Sequence, residues 1–149
     1  MRAVVQRVSH ARVVVEGRVT GTIQHGLLAL IGVGAADDDA HAAWIAEKIA
    51  TLRIFRDDAG LMNLSVEQAG GSVLLVSQFT LFGDARRGRR PSFASAASGE
   101  PAFRLFQYVG TTLERRGLTV AYGVFGADMD VESSNQGPVT ILLDSDRTF

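Results

Sequence analysis

The 149 residues predict one α/β domain. Three observations carry that expectation. Apolar and polar residues alternate from Val4 through Gln24, the period of half-buried strands. Two fully apolar runs, LLALI after Gly26 and VLLV from Val73, read as strands covered on both faces. Between and after them lie two segments whose apolar residues recur at helical spacing.

In chain order, Val4, Gln6 and Val8 alternate with Val5 and Arg7, and Ala11, Val13 and Val15 with Arg12 and Val14, up to a turn at Glu16-Gly17. Val19 to Gln24 forms a second strand. Gly26 opens a third, LLALIGVG, which is apolar throughout and so belongs at the centre of a sheet. Gly32 and Gly34 have the look of a phosphate-binding loop, but no third glycine follows at the right spacing. Asp37, Asp38 and Asp39 come next and would repel phosphate, so a nucleotide fold is not expected.

Those aspartates suit a helix N-terminus, where a carboxylate satisfies free N–H groups and complements the dipole. The helix runs to about Leu52, with Ile45, Ile49 and Leu52 on one face and Trp44 beside them. The histidines His10, His25 and His41 are scattered near turns. None has a partner histidine or carboxylate at ligand spacing, so each reads as a surface residue. Leu52 and Ile54 suggest a short strand, Asp57, Asp58 and Gly60 a turn, and Met62 and Leu64 a return to the core. Gly70-Gly71 turns into the apolar strand at Val73.

That strand is interrupted by hydrogen-bonding side chains, Ser77, Gln78 and Thr80, before Leu81 and Phe82 resume and Gly83 ends it. Alternation places Gln78 and Thr80 on one face, Ser77 and Phe79 on the other. Unpaired, each buried polar group costs roughly 1–3 kcal/mol. Two readings follow: a core strand whose polar groups find backbone partners, or a strand end that carries a reaction site. Arg86, Arg87, Arg89 and Arg90 come directly afterwards, as a solvated loop or as a phosphate-holding one. Pro91 to Gly99 is a Ser/Ala-rich connector. A second helix from Pro101 to Gly117 buries Leu105, Phe106, Val109 and Leu113. The tail returns to β structure in TVAYGVFG, DVESS and Gly137-Pro138-VTILLD.

Composition narrows the function classes. Apolar residues make up 46% and charged residues 21%, an ordinary globular balance. No apolar run approaches the roughly 18 residues of a membrane span. The opening MRAVVQRVSHARVVV lacks a continuous apolar h-region, so a signal peptide is not expected and the cytoplasm is the default compartment. The absence of cysteine excludes disulfides, thiolate chemistry and Cys-ligated metals. A net charge of −1 argues against a general polyanion binder. Every basic residue but Lys48 is an arginine, which leaves the Arg86–Arg90 cluster as the marked basic feature.

SQFTL at 77–81 and NQGPVT at 135–140 together resemble the signature motifs of the D-aminoacyl-tRNA (D-tyrosyl-tRNA) deacylase family. The resemblance extends over nearly the whole chain. It includes RAVVQRVSHARVVVEG at the start, GLLALIGV at 26–33, KIATLRIFRDDAGLMNLS at 48–65, GRRPSF at 88–93 and FGADM at 125–129. One departure is the Asn135-Gln136 pair, where the family more usually has Asn-Asp before Gly-Pro. It removes a carboxylate and leaves Gly137-Pro138 intact.

The resemblance implies a single domain over residues 1–149 with a β-barrel-like sheet and two main helices. It also implies a symmetric homodimer with active sites at the subunit interface. Its substrate would be D-aminoacyl-tRNA, and glycyl-tRNA mischarged on tRNA-Ala, hydrolysed without cofactor or metal as a proofreading step in translation. Ser77, Gln78, Phe79 and Thr80 would be catalytic; Met129 would line the site beside the ester. Gly137 and Pro138, joined by a cis bond, would enter the partner's site and select chirality. Arg7 and the four clustered arginines are candidates for tRNA contact. No Ser/His/Asp set is evident, and Thr80 has no visible base. Attack by water, with the backbone N–H groups of Phe79 and Thr80 holding the oxyanion, is one route; Thr80 as nucleophile is the other. The family is also thought to enlist the substrate's own 2′-hydroxyl. A general esterase would need a G-x-S-x-G elbow, which the chain lacks.

Overall fold

The N-terminal alternation becomes one long strand, β1 (Arg2–Val15), which reverses at Glu16-Gly17 into β2 (Arg18–Ile23) and continues to β3 (Gly26–Gly32). The structure, a computed structural model, describes residues 1–148. Helix α1 (Asp39–Thr51) starts where the aspartates predict. The Asp38 side chain accepts hydrogen bonds from the backbone of Ala40 and His41, while His41 Nδ1 accepts from the Asp38 N–H. His41 therefore does have carboxylate neighbours, Asp38 at 2.6 Å and Asp146 at 3.4 Å, and it serves as part of a helix cap.

The next stretch departs from expectation. Leu52 caps α1, donating its N–H to Lys48, so the short strand begins later, as β4 (Phe55–Arg56). β4 pairs with β5 (Met62–Leu64) in a hairpin whose turn is held by the Asp57 carboxylate, which accepts from Ala59 and Leu61. Met62 is 57% exposed: the turn end of the hairpin projects outward, while Phe55 is buried in the core and Leu64 packs against it.

β6 (Ser72–Ser77), α2 (Gly99–Arg115) and β7 (Val120–Tyr122) follow, and β8 (Asp130–Asp144) closes the chain. α2 starts two residues before Pro101, which stands in its first turn, and buries Leu105, Phe106, Val109 and Leu113 as the spacing requires. The sheet runs β2-β1-β3-β6-β7, with β8 paired along β1. β1 is antiparallel to β2, β3 and β8, whereas β3/β6 and β6/β7 are parallel. Each parallel pair is joined by a helical crossover, α1 for the first and α2 for the second, as parallel neighbours need.

The sheet curls until β2 approaches β7, forming a nearly closed barrel. A Cβ on Gly21 would collide with the Tyr122 carbonyl, so a side chain there would hold the two edges apart. Two cores result. Val8, Val13, Ile23, Leu28, Leu74 and Val76 fill the inside of the barrel. Val5, Leu27, Ile31 and Leu75 pack outward against Ile45 and Ile49 of α1 and Phe106 and Leu113 of α2. Each such side chain contributes about 1.5–3 kcal/mol by burial. Among the described residues, no helix is long and apolar enough to cross a membrane.

Candidate active site

β6 does not run on to Phe82. Its ladder with β3 ends at Ile31↔Ser77, and the last rung is the Gln78 N–H donating to the Ile31 carbonyl at 2.7 Å. β3 itself stops at Gly32, so residues beyond Ser77 have no strand to pair with. They curl instead into a 3-10 turn, Phe79–Phe82, and Gly83 closes it by donating to the Thr80 carbonyl. Gly32 and Gly34 make room for this turn. A Cβ on Gly32 would stand 3.0 Å from the Gln78 carbonyl oxygen, and one on Gly34 2.8 Å from the Phe82 ring. Those glycines serve close packing, with no phosphate cradle between them.

The turn exposes what a strand would have hidden. As the first residues of a 3-10 segment, Phe79 and Thr80 have N–H groups with no acceptor among the described residues. The exposed Thr80 hydroxyl accepts a hydrogen bond from the Gln78 side-chain amide, and among the described residues no histidine or carboxylate hydrogen-bonds to it. Arg2 supports the turn from behind. Its Nη1 donates to the Leu81 carbonyl at 2.9 Å, and its guanidinium lies 4.7 Å from the Phe82 ring centre. Asp144, nearly sealed from solvent, holds the other side of Arg2 at 3.7 Å. Nothing in the sequence marks Arg2 for this role, because one arginine in an alternating strand carries no signal.

Beside the turn opens a cavity of about 620 Å³. Ser77, Gln78 and Phe79 form one wall, Phe93 and Ala97 a second, Phe125 and Met129 a third. Phe79 and Phe93 meet edge to face at 5.0 Å. The 92–98 segment is pinned to the end of β3, with Ala97 donating to Val33 and Ala35 to Ser95. Among the described residues, Asp128 is the only charged one of the lining. The site is thus an apolar slot with a strip of polar backbone and amide at one edge.

Gly137 and Pro138 lie elsewhere. β8 is one strand by its ends, but while β1 advances from Gln6 to Val8, β8 passes from Thr140 to Asn135. Residues 136–139 therefore protrude from the ladder as an excursion. Asn135 holds it shut, its Nδ2 donating to Thr140 Oγ1 and its Oδ1 accepting from the Val139 N–H. The Gly137-Pro138 bond is cis, and both residues are exposed. Gly137 has φ +125°, a region glycine tolerates, and a Cβ there would stand 2.9 Å from both Arg7 Nη2 and Val139 Cγ2. Gly137 borders a second cavity, of about 610 Å³, that shares no lining residue with the first. Within one chain the two signature motifs do not meet.

A family model described as D-Tyr-tRNA(Tyr) deacylase matches residues 4–144. The chain belongs to the D-aminoacyl-tRNA deacylase family. A relative from Anaeromyxobacter dehalogenans, named D-aminoacyl-tRNA deacylase, is 58% identical over 149 residues, and one of the same name from Koribacter versatilis is 56% identical. Both alignments cover 100% of each chain. A solved structure of a c-Myc DNA unwinding element binding protein superposes with a TM-score of 0.90 at 36% identity, covering 97% of this chain and 98% of the other. The family's reaction is hydrolysis of the ester between amino acid and tRNA, which makes this chain a hydrolase acting on a carboxylic ester.

The arginines that a deacylase could use for tRNA divide into two kinds. Arg87, Arg89 and Arg90 are exposed, with no acceptor among the described residues. Arg86 is committed to Asp84 through two hydrogen bonds, at 2.9 and 2.6 Å, and the side-chain bond from Arg86 holds the Asp84 carboxyl well below the usual carboxylate range. Arg7, expected as a phosphate contact, is 4% exposed. It donates to the carbonyls of Ile54 and Gln136, tying β1 to the base of the Gly-Pro excursion.

Proposed function

We propose that this deacylase removes D-amino acids, and glycine mischarged on tRNA-Ala, from the terminal adenosine of tRNA in the cytoplasm, by positioning water against the ester. The observation that carries the mechanism is the pair of unengaged N–H groups at Phe79, which lines an apolar slot, and at Thr80, the next residue of the turn. As the carbonyl carbon is attacked, negative charge develops on its oxygen, and two aimed N–H groups stabilise that charge most in a water-poor site. The ester is already an activated acyl group, so no triad is required. The substrate's own 2′-hydroxyl assists the attack, and Thr80 positions rather than attacks, since its hydroxyl is engaged by Gln78 and lacks a base. Met129 and Phe79 flank the adenosine and the ester.

Chirality is read by Gly137-Pro138 of a second copy in a symmetric homodimer. Supporting this is the distance of the motif from the SQFT slot in its own chain, together with its exposure on a protruding excursion. Carbonyls facing the substrate Cα tolerate a hydrogen and clash with an L side chain, so D-aminoacyl and glycyl esters pass and L esters are refused. The exposed arginines Arg87, Arg89 and Arg90 meet the tRNA backbone.

Matched hydrolysis of D-tyrosyl-, L-tyrosyl- and glycyl-tRNA tests the whole reading. Rapid loss of the D and glycyl esters with the L ester spared is expected. Equal loss of D and L esters would end the chirality argument. Binding of tRNA with no hydrolysis of any ester would favour a non-catalytic nucleic-acid-binding protein, the reading suggested by the name of the 36% identical structure.

A further inference from the structure

The second cavity is built unlike an accidental cleft. It is lined by Arg7, Arg56, His25, Gln68, Gln136 and Gly137 above a floor of Phe55 and Leu64, and no acidic residue contributes to it. Two guanidinium groups therefore face one concavity, and among the described residues neither has a carboxylate within ion-pair distance. Five other arginines, Arg2, Arg12, Arg86, Arg104 and Arg116, each have an acid, whereas Arg7 and Arg56 donate only to backbone carbonyls.

Both guanidinium groups also keep donors to spare. Arg7 spends Nε on Gln136 and Nη1 on Ile54, while Nη2 has no acceptor and is not sealed from solvent. Arg56 gives Nη1 to the Gly60 carbonyl across the hairpin, which fixes its direction, and its Nε and Nη2 have no acceptor among the described residues. Two like charges on one cavity repel. Burial first, and the charge of Arg56 second, pull the Arg7 guanidinium below its ordinary pKa. An anion between them would remove the repulsion and take the free donors, and the planar fork matches phosphate oxygens better than an ammonium does. The amides of Gln68 and Gln136 and the ring of His25 add further hydrogen-bonding partners for a sugar-phosphate at the rim.

The geometry points to a phosphate-binding subsite, formed by Arg7 and Arg56 beside Gly137, that holds a backbone phosphate of the tRNA acceptor end. This rests on the proposed function, in which Gly137 stands at the reacting ester of a neighbouring subunit. The phosphates closest to the terminal adenosine then pass within reach of the cavity that Gly137 borders. A phosphate held there would fix the acceptor end against the selecting glycine. Discrimination between D and L esters would depend on it, because a filter made of sterics works only on a substrate that cannot slide.

The test compares two substrates, D-tyrosyl-tRNA and 3′-O-D-tyrosyl-adenosine, which carries the ester without any phosphate. For Arg56→Ala, kcat/KM on the tRNA ester relative to the nucleoside ester should fall about tenfold. The dependence of log kcat/KM on log salt should become shallower by about 0.7, the loss of one single-strand phosphate contact. Arg56→Lys should recover part of both. Independently, inorganic phosphate titrated into the intact protein should shift the Nε–Hε resonances of Arg7 and Arg56, and Arg56→Ala should abolish the Arg7 shift. An equal fall on both substrates, or no fall on either, would overturn the subsite. So would a dimer that dissociates in Arg56→Ala without any phosphate response in the wild type, because the anion would then be a carboxylate of the second copy. If the wild type cleaves neither ester, the proposed function fails by itself, and the phosphate titration still decides whether the cavity binds anions.

Discussion

The cavity beside the SQFT turn and the cavity beside Gly137 have almost the same volume, about 620 and 610 Å³, and opposite chemistry. Aromatic and aliphatic side chains dominate the walls of the first, with Ser77, Gln78, Ser98 and the exposed Asp128 as its polar side chains. Two arginines and a glycine on a protruding excursion frame the second. An apolar slot suits a nucleoside and an ester, whose reaction creates charge only in passing. A cationic recess suits a charge that is always present. In the proposed function, recognition and chemistry are thus separated within one chain, and a second copy brings them together.

The largest effect should come from the slot. Replacing the Thr80 peptide N–H by an ester oxygen removes one oxyanion donor and leaves every side chain in place. Single-turnover hydrolysis of D-tyrosyl-tRNA should slow by about 10²–10³, or ~2.7–4 kcal/mol. A change below threefold would remove the N–H pair from the mechanism. Next comes Gly137→Ala, whose added methyl meets Arg7 and Val139 at 2.9 Å. Turnover should fall by about 10² through misplacement of the substrate, while the Kd for uncharged tRNA stays within about twofold. If binding falls as steeply as turnover, the methyl acts through lost tRNA affinity and not through misplacement of the ester.

Thr80→Val sharpens the comparison within the slot. Loss of the hydroxyl should cost about tenfold or less if it only positions, and activity would vanish if Thr80 forms the acyl-enzyme. Joint Arg89→Ala and Arg90→Ala should leave the ester step intact and flatten the salt dependence of tRNA binding by about 1.4 on the same per-phosphate scale.

The smallest effect concerns the support behind the turn. Burial raises the Asp144 pKa, but hydrogen bonds from Thr148 and the Asp146 N–H, with the charges of Arg2 and the N-terminus, lower it overall. A carboxyl lowered in the folded state adds stability above its unfolded value of about 3.9, and that stability is lost as pH falls through the folded value. The urea midpoint of the wild type should therefore drop below pH 4, and Asp144→Asn should show a flatter profile. At pH 7 the variant should be less stable by about 1–3 kcal/mol. An unchanged profile would mean that Arg2 is held by Leu81 and Phe82 alone.

Much of this molecule is determined locally, and the sequence alone settles it. The helical faces of Ile45 and Ile49 and of Leu105, Phe106, Val109 and Leu113 follow from spacing, and all six residues are buried. The turn at Glu16-Gly17, the cap at Asp38 and the central place of β3 follow equally from short-range signals. What tertiary structure decided lies where an element depends on a distant partner. Ser77 to Phe82 keep the pattern of a strand, yet the strand ends because β3 has run out at Gly32. Arg7 sits in an alternating strand like Arg12, yet one is buried against Ile54 and Gln136 while the other pairs with Glu132 at the surface. DVESS and VTILLD read as two strands, yet β1 pairs with both and leaves Gln136 to Val139 outside the ladder. Periodicity reports which face of an element is covered. It carries no information about where a ladder ends, as β3 does at Gly32, or where a strand leaves its ladder, as β8 does between Asn135 and Thr140.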